Sequence, residues 1–183
     1  MIVPIVKTPN NILNTSTKPI KKIDAKIRAL VKNMKSTLAA QNDPEGVGLA
    51  APQVGVELSL FVIRPEPKAH FRVFINPVIK KTVESLPAKA GLRRVKKSDN
   101  STLEGCLSIE RIWSQVERPK KILLFYQTID GDQKEEWFSG FEATIIQHEV
   151  DHLHGILFTS RALEQNKPIF KETDGDLSKI DLI

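Results

Sequence analysis

Ile146-Gln147-His148-Glu149-Val150-Asp151-His152-Leu153-His154-Gly155, IQHEVDHLHG, sets two histidines four residues apart with a glutamate between them. On a helix, positions i and i+4 project from one face, so His148 and His152 can offer two imidazoles to one cation. Glu149 sits about 100° further round the axis. From there it can reach a water beside the cation without being a ligand itself. Ile145 continues the histidine stripe, and Phe141, Ile146, Val150 and Leu153 add apolar surface. This predicts a buried helix whose histidines need partners. Ser139 and Glu142 match a capping box that opens the helix, and Gly155 is placed to end it.

Two imidazoles and a position for water call for a third protein ligand. His154, His70, the carboxylates and Cys106 are all available. His154 follows His152 by two residues and so leaves the shared face, while His70 falls in a predicted loop between Ala69 and Phe71; both are expected at the surface. Cys106 is the single cysteine, which excludes an internal disulfide. It lies in Leu103-Glu104-Gly105-Cys106-Leu107-Ser108, where the glycine lets backbone come close to a ligand.

Working outward, apolar residues Ile23, Ile27, Leu30, Val31, Met34 and Leu38 predict an amphipathic helix over Lys22 to Gln41, stopped by Asn42-Asp43-Pro44. Strands are expected at Leu58 to Ile63, at Arg72 to Ile75 with a break at Asn76-Pro77, and at Val78 to Ser85. Ile122 to Ile129 and Lys134 to Phe138 flank Asp130-Gly131-Asp132 as a hairpin. After Arg161 the chain is polar with scattered apolar residues, and no final helix is expected because Pro168 and Gly175 interrupt it. Strands on both sides of a buried helix, without regular βαβ alternation, predict an α+β fold with antiparallel or mixed sheets packed around that central helix.

Residues 1–183 suit one domain, and 40% hydrophobic with 27% charged residues excludes the disordered class. Apolar runs such as Leu58-Ser59-Leu60-Phe61-Val62-Ile63 are far short of the roughly 18 residues of a membrane span. The N-terminus has no charged n-region followed by an apolar stretch, so a cytoplasmic chain or the mature form of an organellar one is expected. Of the net charge of +5, residues 88–100 hold most: Lys89, Arg93, Arg94, Lys96 and Lys97 against Asp99. Such a run reads as a solvated segment or an electrostatic contact for a polyanion.

Three stretches in order resemble the signature motifs of peptide deformylases: Gly46-Val47-Gly48-Leu49-Ala50-Ala51-Pro52-Gln53, Glu104-Gly105-Cys106-Leu107-Ser108 and Gln147-His148-Glu149-Val150-Asp151-His152-Leu153. The resemblance implies a hydrolase that removes the formyl group from the N-terminal formyl-methionine of nascent peptides. It implies one divalent ion on Cys106, His148 and His152, ferrous iron with zinc, nickel or cobalt able to replace it. Glu149 is then general base and acid. Gln53 and the Leu107 N–H stabilise the oxyanion, and Val47, Gly48, Leu49 and Gly105 form the peptide-binding rim. Formylated nascent peptide is the implied partner, with transient ribosome contact, no membrane and no specific nucleic-acid binding.

Two departures stand out. Ile109-Glu110 replaces the serine-plus-two proline common in the family, and the basic segment precedes the cysteine motif. They leave two competing readings: a related metal hydrolase with a different acyl-peptide substrate, and a non-enzymatic ribosome- or RNA-binding module. Comparison of formyl-Met with acetyl-Met peptides separates the first from a deformylase, and deletion of residues 88–100 tests the second.

Overall fold

The computed structural model describes residues 1–42, 45–83 and 103–180. The basic segment 88–100, the predicted helix stop at Asp43-Pro44 and the end of the predicted strand at Glu84-Ser85 lie outside the described residues.

α1 spans Ala25–Ala39 rather than Lys22 to Gln41, because the Asp24 carboxylate accepts from the Lys26 and Ile27 N–H groups and sets the start. β1 (Gly48–Ala50), β2 (Leu60–Ile63), β3 (Arg72–Val83), β6 (Lys121–Gln127) and β7 (Gln133–Ser139) form a five-stranded sheet in that order. β4 (Leu103–Cys106), β5 (Ile109–Gln115), β8 (Ile169–Thr173) and β9 (Asp176–Ile180) form a second, four-stranded sheet. Every strand pair among the described residues is antiparallel. α2 (Gly140–Leu153) carries the histidines, and α3 (Phe158–Glu164) packs on β4 and β5. No helix among the described residues is long and apolar enough to cross a membrane.

The run Leu60-Phe61-Val62-Ile63 is apolar without alternation because both faces of the large sheet are covered. Phe61 and Ile63 join Phe74, Leu124 and α2 residues Ile145, Ile146 and Val150 in one cluster. Leu60 and Val62 join Val73, Ile75 and α1 residues Ile27, Val31, Met34 and Leu38 in the other. α2 thus covers one face of the large sheet and α1 the other, within the α+β fold with antiparallel sheets that was expected.

Two local expectations fail for physical reasons. Asn76-Pro77 does not break the strand: the β3–β6 register skips from Ile75↔Gln127 to Val78↔Phe125, so the two residues form a bulge that needs no N–H from Pro77. Asn76 takes φ 49° and locks the bulge, its side chain accepting from Ile20 N–H and donating to the Ile20 carbonyl, both at 2.8 Å. Asn76→Ala is therefore expected to cost about 3 kcal/mol in urea unfolding, from lost hydrogen bonds and left-handed strain. Asn76→Gly should recover about 1 kcal/mol of that. At α2, Ser139 is the N-cap residue but makes no side-chain bond, and Glu142 accepts from Arg72 Nη1 at 3.1 Å, so there is no capping box. Gly155 follows the helix at φ 71°, as expected of its stop.

Candidate metal centre

β4 ends at Cys106 against the face of α2 that presents His148 and His152, and one ligand atom from each residue lies within 4.8 Å of the other two. Cys106 Sγ is 3.2 Å from His152 Nε2. His148 Nδ1 donates to Glu104 Oε2 at 3.1 Å, which leaves Nε2 as the nitrogen that could hold an ion, and the ring stacks on the buried Phe158 of α3. Burial alone would raise the Cys106 thiol, but the charge of His152 and hydrogen bonding from both histidines hold it well below its ordinary value. Burial would likewise discharge His148; bonds to Cys106 and Glu104 outweigh it and hold its imidazole well above the usual range. Thiolate is the form that binds metal. One soft thiolate and two imidazoles on a rigid helix–strand pair suit a tetrahedral ion with its fourth position open. Buried His152 Nδ1 and Glu149 Oε2 have no hydrogen-bond partner among the described residues, so polar capacity remains at the centre.

Glu149 is only 3% exposed, and burial pushes its carboxyl up to about 7 against the pull of His148 and His152. It fits because residue 48 is glycine: a Cβ there would lie 2.3 Å from Glu149 Oε1. Gln53, 1% exposed, has its Oε1 held by the Ala50 N–H at 2.8 Å, which aims Nε2 at Cys106 Sγ (3.5 Å) and Ser108 Oγ (3.2 Å). The N-terminal segment braces both loops, Val6 N–H donating to the Gln53 carbonyl and Thr8 N–H to that of Ser108. Glu110 is paired with Lys7 at 2.8 Å, and the same ammonium donates to the Leu107 carbonyl.

Behind the ligands, Arg118 donates to both oxygens of Glu104 (2.6 and 2.9 Å) and to Asp151 Oδ2 (2.9 Å), and Arg161 donates to Asp151 Oδ1 at 2.8 Å. In front opens a cavity of about 200 Å³ lined by Val47, Leu103, Gly105, Trp113, Phe141 and Ile145 among others.

The expected residues Cys106, His148, Glu149, Gln53, Leu107, Val47, Gly48 and Gly105 all come together around this cavity or its floor, with His152 buried just behind. The Leu49 side chain does not: it faces α1 in the other core cluster. His154 is exposed, its Nδ1 donating to the Val150 carbonyl, and His70 is exposed as well, so neither joins the site. Phe141 is 54% exposed at the cleft mouth instead of packing inward. Glu104, Arg118, Asp151 and Trp113 have roles here that the sequence reading did not assign. For Glu104 a signal existed, since strand alternation puts it on the same side as Cys106 two residues later.

A buried thiolate–bis-imidazole cluster with an adjacent carboxylate, opening on an apolar cleft, is the architecture of a mononuclear metal hydrolase. The polypeptide deformylase family model matches residues 2–168. The peptide deformylase of Borreliella burgdorferi is 41% identical over 150 residues, covering 82% of this chain and 81% of that protein. The Thermotoga maritima peptide deformylase structure superposes with a TM-score of 0.74 at 31% identity, over 88% of this chain and 97% of the other. A class I type b peptide deformylase from Acinetobacter baumannii, solved with Met-Ala-Ser bound, gives 0.73 at 31% identity, over 88% and 98%. The chain belongs to the polypeptide deformylase family, metal-dependent hydrolases that act on formylated nascent peptides.

Proposed function

We propose that Cys106, His148 and His152 hold one divalent ion, natively ferrous iron, and that the cleft takes the formyl-methionine end of the peptide. The observation that carries this is the meeting of three ligand atoms within 4.8 Å of one another with Glu149 and Gln53 at the floor of one apolar cleft. Zinc, nickel and cobalt suit the same donors. When bound, such an ion supplies Lewis acidity and lowers the pKa of water towards about 7.

Glu149 takes the proton of the attacking water and later protonates the leaving amine, so that the formyl C–N bond breaks to give formate and a free α-amine. Gln53 Nε2 and the Leu107 N–H donate to the formyl oxygen as negative charge grows on it. Val47, Gly48, Leu49 and Gly105 form the peptide-binding rim. Arg64 N–H bonds the Val47 carbonyl and Leu49 pairs with Val62, so strand alternation turns the polar groups of Gly48 to the free edge of β1. An extended peptide can add there as a further strand. The Leu49 main chain is paired with Val62, so Leu49 supports the rim by holding β1 in place, its side chain packed against α1.

Removing the ion with a chelator is expected to abolish formate release from formyl-Met-Ala-Ser, and ferrous or nickel ion to restore it. Gln53→Ala should lower kcat by about 10² to 10³ while ion content stays unchanged. If Cys106→Ala protein purified without oxygen still carried one ion per chain, the ligand assignment would be wrong.

A further inference from the structure

We infer that Glu172, on the C-terminal β8–β9 hairpin, is a positioning residue for peptide selection that acts through Trp113; this rests on the cleft being the peptide site. In the small sheet Trp113 stands opposite Gly105 on one side and Phe170 on the other. Its ring occupies the space that a side chain at 105 would fill, since a Cβ there would lie 2.6 Å from Trp113 Cζ3. Glycine thus leaves room for the indole to line the cavity beside Leu103, with Phe141, Thr144 and Ile145 of α2 lining it as well.

A wall on a two-torsion side chain selects only if it is held. Trp113 Nε1–H donates to Glu172 Oε2 at 2.7 Å, a charge-assisted bond, and Glu172 Oε1 accepts from Arg111 Nη1 at 2.9 Å. The carboxylate is therefore fixed from two points of β5 and fixes the ring in turn. Glu172 itself does not line the cavity. The hairpin holding it is closed by Asp174 and Gly175, both at positive φ as a tight two-residue turn requires. With the ring locked, the wall offers an aromatic edge to an unbranched thioether. A ring free to swing would widen the pocket and admit branched side chains.

The test uses ion-loaded full-length protein, formyl-Met-Ala-Ser and formyl-Leu-Ala-Ser. Glu172→Ala is expected to raise KM for the methionyl peptide about tenfold, the scale of one charge-assisted hydrogen bond, with kcat within about twofold. The preference over the leucyl peptide should narrow. Trp113→Phe, which keeps a ring but loses the N–H, should do the same, and the double variant should add nothing further. Glu172→Gln retains an acceptor without the charge and should bring KM back part of the way to wild type. In a Trp137→Phe background, Trp113 fluorescence should respond to Met-Ala-Ser, and its emission should move in Glu172→Ala. A wild-type KM in Glu172→Ala alongside a raised KM in Trp113→Ala, or additive effects in the double variant, would overturn the role of Glu172 alone. An unchanged KM in both, with no fluorescence response to Met-Ala-Ser, would instead sink the placement of the peptide in the cleft.

Discussion

Glu149→Gln is expected to lower formate release by about 10² to 10⁴ while the protein stays folded and keeps its ion. The amide matches the carboxylate in shape, so the cradle made by Gly48 is undisturbed, but it cannot accept the water's proton. Ion content should hold because Glu149 is not among the three clustered ligands. Turnover at the wild-type rate would remove Glu149 from the chemistry. A second measurement, on ion-free protein, needs no activity. Burial raises the Glu149 carboxyl to about 7 in the folded chain, so the native state holds this proton more tightly than the unfolded state does. Such a group costs stability as pH rises from its ordinary carboxylate range toward 7, and the cost is complete above that. Ion-free Glu149→Gln should therefore melt higher than wild type at pH 8, with the gap closing at pH 4.

Arg118→Met should be the most damaging single change away from the ligands, at about 3 to 5 kcal/mol in denaturant unfolding of ion-free protein. The Arg118 side chain is almost fully buried and serves two buried carboxylates, which methionine would leave with His148 alone on Glu104 and Arg161 alone on Asp151. The loss should shrink with acid. In the wild type, burial raises the Glu104 carboxyl, but bonds from His148 and Arg118 outweigh it and hold it below its ordinary value, so its contribution is present at neutral pH and fades as pH falls. In the variant the arginine no longer opposes burial, and protonation relieves the strain. The penalty should thus be larger at pH 8 than at pH 5. Ion affinity should fall as well, because Glu104 orients His148. A penalty under about 1 kcal/mol, or one that grows with acid, would mean that the network is decoration rather than support.

The two helices that cover the large sheet were legible because their signals are local. α1 shows a plain amphipathic period, and the two histidines of α2 declare a shared face. The β6–β7 hairpin was legible from Asp130-Gly131, although the paired residues Gln127 and Gln133 leave a five-residue loop instead of a tight turn. An equal signal at Asp174-Gly175 was passed over because its strands are largely exposed and lack apolar alternation. Their register comes from pairing with β5, which lies some sixty residues earlier. Pro77 looked like an end because a proline inside a paired strand is costly; only the bulge, held by Asn76 from the side, makes it harmless. At the site, the ligands and Glu149 stood in recognisable motifs. Glu104, Arg118 and Asp151 did not separate from ordinary surface charges, since what makes them special is mutual burial across three elements.

The bracing of Gln53 by Val6 and of Ser108 by Thr8 has a consequence for how the molecule comes to exist. The residues that meet at the candidate metal centre are Gln53, Cys106, and His148 and His152 of α2, and Arg161 completes the support for Asp151. Each meeting closes a long loop, whose entropy is lost before the contacts that reward it are made. An enzyme of the deformylase family cannot begin its work while its own chain is still incomplete. Its centre exists only after nearly the whole polypeptide is free, so ion capture should be a late event that consolidates an assembled fold.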